Sequence, residues 1–183
     1  MRREQLEHLI RAAATIAEDD EVVVIGSQAI LAQVSDPPSE LCRSMEADLW
    51  PRNHPERWEL VDGSIGELSP FHETFGYYAQ GVGPETATLP EGWEERVVPL
   101  RTGGVTGLCL EVHDLVISKY VAAREKDLEF TSAALSYGLV QPEVLLERLS
   151  DTPITRNRRS RIAALVRRDA ADAARRIEAD GPP

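Results

Sequence analysis

The sequence predicts a mixed α/β fold, a small mixed sheet flanked by helices with a C-terminal helical extension. Three observations predict it. Short β-branched or alternating runs are interleaved with helix-period segments over the first two-thirds of the chain. The last third carries helical periodicity alone. The composition, 42% hydrophobic and 28% charged over 183 residues, is that of an ordinary globular chain with enough length for a proper core. No linker is clear enough to cut the chain into independent domains, so the expected division is 1–138 and a helical extension, 139–183, packed on it.

Residues 3–18 read as an amphipathic helix, with Leu6, Leu9, Ile10, Ala13 and Ala17 on one stripe and Asp19-Asp20 ending it. "EVVVI", 21–25, is short, continuous and β-branched, a buried strand. A helix over 28–34 opens directly after Gly26-Ser27, with Ser27 as its N-cap. "SDPPSE", 35–40, is a loop. In 44–50, Met45, Ala47 and Leu49 alternate with Ser44, Glu46 and Asp48, a second strand. Residues 55–68 read as helix. Tyr77–Gln80 and Arg96–Leu100 read as strands around a Gly/Pro-rich excursion, and "GLCLEV", 107–112, as another. "TGG" at 102–104 is a hairpin turn. From His113 the chain turns helical to about residue 135, then again over 142–149 and 155–178. Only 181–183 look like a tail.

The totals exclude several classes. A formal net charge of −11 argues against a general coat for nucleic acid or anionic membrane, because the whole-molecule field repels phosphate. Two cysteines, Cys42 and Cys109, make neither a disulfide framework nor a metal knuckle, and fit a reducing compartment as small buried residues. The N-terminal segment lacks the continuous apolar centre of a signal peptide, and no stretch approaches the ~18 apolar residues of a membrane span. A cytoplasmic, soluble protein without membrane contact is expected. His8, His54, His72 and His113 show no zinc-ligand spacing, and His113 reads as a capping or hydrogen-bonding residue. Eight arginines fall within 156–176. Their helix carries an apolar stripe, Ile162, Val166, Ala170, Ala173 and Ile177, that packs on this domain or on a second copy in a homodimer. The arginines themselves would pair with the protein's own acids or grip RNA phosphates.

Gly26-Ser27 is open to two readings. It is a tight strand-to-helix turn, or it is a phosphate cradle in which unpaired helix N–H groups meet an anion and glycine permits close approach. The next strand bears on this. Glu46 and Asp48, two apart, point to one face, where like charges repel. Ala47 and Leu49 on the other face cover a core. Two carboxylates beside a phosphate cradle suit Mg²⁺ (or Mn²⁺), which takes one or two carboxylates plus substrate phosphates. Lys119 is one of only two lysines, against eighteen arginines, and its stem lies among Val116, Ile117, Tyr120 and Val121. It needs a phosphate, a carboxylate such as Asp114 or Glu111, or an exit to water. In a continuous helix Asp127 would lie about 80° around from it, lining one cleft without stacking. Tyr77, Tyr78 and Trp93 flank the Gly/Pro-rich excursion as core, lid or base-stacking residues, and Gly81, Gly83 and Pro84 suit a closing loop.

The order strand, Gly-Ser, helix, loop, strand with an acid-x-acid pair resembles the nucleotidyltransferase fold of the polymerase-β superfamily. "HDLVISKYVAAREKDLEF" resembles the helices of AbiEii-type toxins and related nucleotidyltransferase-like proteins of bacterial toxin–antitoxin systems. The likeness spans about 21–130. It implies Gly26 and Ser27 as the triphosphate cradle, Glu46 and Asp48 as metal ligands and catalytic acids, and Lys119 as a catalytic contact to nucleotide phosphate or base. Arg124 and Asp127 complete the nucleotide-binding helical motif. Glu111 is the candidate third carboxylate, with capping a helix or pairing with Lys119 as the alternatives. The superfamily prefers aspartate where this chain has Glu46. The implied activity is Mg²⁺-dependent transfer of a nucleoside monophosphate from a nucleoside triphosphate to a tRNA or other RNA, protein or small-molecule acceptor. The alternative is a catalytically lapsed nucleotide-binding module, or one half of a toxin–antitoxin pair, with the same fold.

Overall fold

The computed structural model describes residues 1–180, and the expected tail at 181–183 lies outside them. By contacts the chain divides into two compact units, Met1–Thr86 with Arg96–Glu111, and Ala87–Glu95 with the chain from Val112 onward. The helices following residue 111 therefore group with the C-terminal ones, whereas sequence placed them with the sheet.

The first unit is built on five strands, β1 (Glu21–Val24), β2 (Glu46–Pro51), β3 (Tyr78–Gly81), β4 (Val98–Thr102) and β5 (Val105–Cys109). They lie in the order β3-β2-β1-β5-β4. β1 pairs antiparallel with β2 and parallel with β5, β2 parallel with β3, and β4 antiparallel with β5. The sheet is mixed, as expected. β1 is central and its Val22, Val23 and Val24 are fully buried, which is why it reads as a continuous apolar run rather than an alternating one. Helix α1 (Arg3–Ala17) buries its whole predicted stripe and packs on β2 and β5. Glu18 ends it in the left-handed region (φ 50°). The hairpin turn between β4 and β5 places Gly103 and Gly104 at φ 56° and 86°, which glycine adopts without steric cost.

Several expectations are corrected here. The helix expected over 28–34 is a six-residue 3-10 helix, Ser27–Ala32, capped by Gly26 rather than by Ser27. Met45 is 40% exposed and is not core; β2 begins one residue later. Within the expected 55–68 helix, a turn at Pro55–Arg57 precedes the shorter α2 (Trp58–Ile65). Helix α3 (Pro70–Phe75) is unanticipated, being too short to show a period. Its start was nonetheless marked: Ser69 Oγ accepts the His72 N–H at 3.2 Å, and Pro70 follows at N1.

The second unit contains α4 (Val112–Ala122), α5 (Glu125–Ser136), α6 (Pro142–Ser150) and α7 (Arg156–Asp180). α4 packs on α5 and α6, and α7 on the same two. Ile162, Val166 and Ala173 of the α7 stripe are buried, while Ile177 is 37% exposed. Four of the eight α7 arginines fall into two uses. Arg158 donates to Val121 O (2.6 Å), and Arg159 donates to Leu149 O (3.1 Å) and Thr152 O (2.7 Å), satisfying carbonyls at the ends of α4 and α6. Arg168 and Arg175 pair with Asp169 and Asp172 of their own helix. The single helix expected from His113 to about 135 is broken after Ala122, with Ala123 at φ 56°. No helix among the described residues is long and apolar enough to cross a membrane.

Candidate functional site

Three stretches far apart in sequence meet at one end of the sheet. β1 runs toward Gly26, antiparallel β2 starts there with Glu46, and parallel β5 finishes there before Glu111. The ladder continues just past the strands. Ile25 N–H donates to Asp48 O (3.0 Å), and Leu110 N–H donates to Val24 O (2.9 Å). Along β2, Ala47 and Leu49 are fully buried and Glu46 and Asp48 half-buried on the opposite face, the alternation read from sequence.

Asp48 packs its carboxylate directly on the Gly26 backbone. A Cβ added at Gly26 would overlap Asp48 Oδ2, so only glycine admits this approach. Ser27 follows, half-buried, as the first residue of the 3-10 helix. Gln28, fully buried, donates from Nε2 to Ser44 O (3.1 Å), and Ser44 Oγ accepts the Glu46 N–H (3.1 Å). The 3-10 helix is thus tied to the entry of the acidic strand. Gln28 Oε1 is buried without a hydrogen-bond partner. A polar residue after Gly-Ser, as Gln28 is, carries no sign in the sequence of being buried.

Tyr78 also joins this site. The parallel register sets it opposite Glu46, and Gln80 opposite Asp48. Its hydroxyl donates to Glu46 Oε2 at 3.1 Å. Burial, then the hydrogen bond and charge of Glu46, push the phenol up to about 12, so it keeps its proton near neutral pH. Among the described residues no group of three or more His, Cys, Asp or Glu side chains is arranged to hold a metal ion. Glu111, half-buried, lies two residues beyond the end of β5. Glu46 and Asp48 by themselves are a donor set that fits Mg²⁺ when phosphate oxygens and water supply the other positions.

Lys119, Arg124 and Asp127 lie in the second unit. The left-handed Ala123 breaks the helix, and Arg124 O accepts the N–H groups of Asp127 (2.9 Å) and Leu128 (3.1 Å) to start α5. Because the helix is not continuous, Lys119 and Asp127 do not merely line a cleft. Lys119 Nζ donates to Asp127 Oδ1 at 3.1 Å, and Arg124 Nε to Oδ2 at 2.7 Å. Asp127 is fully buried, and Lys119 Nζ sits 4.8 Å from the Phe130 ring centroid. Burial pushes the Asp127 carboxyl up, but Arg124 and Lys119 outweigh it and hold it below the usual range. Asp127 is thus a carboxylate partner of Lys119. Asp114, also fully buried, lies 3.4 Å from Arg148 Nε. His113 Nε2 accepts the Gln141 N–H at 3.1 Å, a hydrogen-bonding role.

No curated protein and no solved structure matches the chain. A family model does match, over residues 4–172, and it is described as a nucleotidyltransferase of unknown function. With nearly the whole sheet unit and most of the helical unit inside that match, the chain belongs to the DUF6036 family of nucleotidyltransferases of unknown function.

Proposed function

We propose that this protein transfers a nucleoside monophosphate from a nucleoside triphosphate to an acceptor hydroxyl, releasing pyrophosphate. The observation that carries this reading is the packing of the Asp48 carboxylate on the Gly26 backbone, with Glu46 on the same strand face. Gly26 and Ser27 would receive the triphosphate, and Glu46 and Asp48 would hold Mg²⁺ or Mn²⁺ between them. Bound there, the ion would neutralise phosphate charge. The acceptor classes are RNA (tRNA included), a protein side chain or a small molecule. A cytoplasmic bacterial toxin–antitoxin setting accompanies the AbiEii-like helical motif.

One observation favours a second reading, in which nucleotide is bound but not turned over. The first acid of the pair is Glu46 rather than aspartate, and its longer side chain would shift a bound ion away from the position that turnover needs. Calorimetric titration of the four nucleoside triphosphates, with and without Mg²⁺, tests both. Wild type should bind at least one in an Mg²⁺-dependent way, and Asp48→Asn, with its fold intact, should lose that binding. Undiminished binding and activity in Asp48→Asn would sink the proposal. Binding without pyrophosphate release, across RNA, protein and small-molecule acceptors, would select the second reading.

A further inference from the structure

We propose that Tyr78 is the positioning residue for Glu46, holding its longer side chain in place as a metal ligand; this rests on the reading of Glu46 and Asp48 as the metal pair. A glutamate has one more rotatable bond than an aspartate, so its carboxylate is placed less sharply unless something grips it. Here the β2–β3 register sets Tyr78 directly across from Glu46, and its hydroxyl donates to Oε2 at 3.1 Å. A carboxylate gripped through one oxygen can still ligate through the other. Hydrogen bonds of this kind to ligating side chains orient them and tune the metal.

Tyr78 is itself supported. Its ring lies against His72, with centroids 4.5 Å apart and planes at 45°. His72 Nδ1 accepts the Leu68 N–H at 3.1 Å. Leu68 pays an unusual conformational price for that bond, standing at φ 62° while 81% exposed. Bulky residues rarely adopt the left-handed region, and this one gains no apolar burial in return. The turn is locked from both sides: Ser69 Oγ donates to Gly66 O (2.7 Å) and accepts the His72 N–H (3.2 Å). A chain of contacts thus runs from a strained turn through His72 and Tyr78 to Glu46.

The test uses the full chain and Mn²⁺ alone as probe, with affinity read by electron paramagnetic resonance of the free ion. Tyr78→Phe should weaken Mn²⁺ binding about 10- to 100-fold, the range seen when such supporting hydrogen bonds are removed. In a Glu46→Asp background the shorter carboxylate no longer reaches the hydroxyl, so adding Tyr78→Phe should change little. A purely structural tyrosine would not show that dependence on the Glu46 side-chain length. Wild-type affinity in Tyr78→Phe, with binding lost in Asp48→Asn, would overturn this proposal and leave the metal pair standing. No Mn²⁺ binding by wild type at millimolar ion would overturn both.

Discussion

Removing the Asp127 carboxylate should be the most costly single change in the helical unit. Asp127 is fully buried, and its two oxygens accept from Lys119 Nζ at 3.1 Å and Arg124 Nε at 2.7 Å. At 3.1 Å and an effective dielectric constant of about 20, the attraction to Lys119 is roughly 5 kcal/mol, most of which offsets the desolvation of the two groups. The Arg124 side chain is 65% exposed, so solvent screens its share. The cost of Asp127→Ala comes mainly from taking the carboxylate away from the Lys119 ammonium, whose side chain is only 10% exposed. Breaking a buried pair in this way costs about 3–5 kcal/mol. For a chain of this size that lowers Tm by on the order of 10 °C. Lys119→Met removes the buried cation and leaves Arg124 on Asp127, and should cost about 2 kcal/mol or less. Urea unfolding followed by far-ultraviolet circular dichroism measures both. Equal losses below about 1 kcal/mol for the two variants would refute the reasoning, because then no uncompensated charge had been buried. Acid titration supplies a second readout. The folded carboxyl is held below its unfolded value, so its stabilisation is complete above about pH 3.9 and is lost as pH falls through the lower folded value. Wild type should lose more stability than Asp127→Ala over that acid range.

Two further outcomes are expected. Gly26→Ala should displace the Asp48 carboxylate, a mobile side-chain end, and so weaken Mg²⁺-dependent nucleotide binding at least tenfold while Tm moves little; calorimetry and a thermal melt read the two effects. Asp19→Ala should cost about 3 kcal/mol in urea unfolding. Asp19 is 6% exposed, and its carboxylate accepts from Glu21 N (3.1 Å), Asn53 N (2.7 Å), Asn53 Nδ2 (2.8 Å) and His54 N (3.1 Å), which would be left without it. Burial pushes that carboxyl up, but the N–H groups outweigh it and hold it low, so this contribution too is present above about pH 3.9 and fades in stronger acid.

Much of this molecule was legible from local pattern. The stripe Leu6, Leu9, Ile10, Ala13, Ala17 needed only the 3.6-residue period, and all five are buried. The alternation through Glu46, Ala47, Asp48 and Leu49 needed only the pleat, and it placed both carboxylates on one face. A run of three valines declared a strand covered on both sides, and Thr-Gly-Gly declared the hairpin turn. Such features depend on neighbours a few residues away, which the sequence displays directly.

What the tertiary structure decided depends on residues that are distant in sequence or on a single backbone angle. Periodicity carried straight through Ala123, because one alanine in the left-handed region leaves no mark on an apolar pattern; yet that angle is what turns Lys119 onto Asp127. The same holds for Tyr78. Its identity was plain, but its pairing with Glu46, 32 residues away, follows from the β2–β3 register, which strand composition alone does not specify. Glycine at position 26 was visible in sequence as a turn residue. Only the antiparallel return of β2 laid the Asp48 carboxylate against it, because strand order and direction are set by how the whole sheet buries its faces and not by any one of its segments.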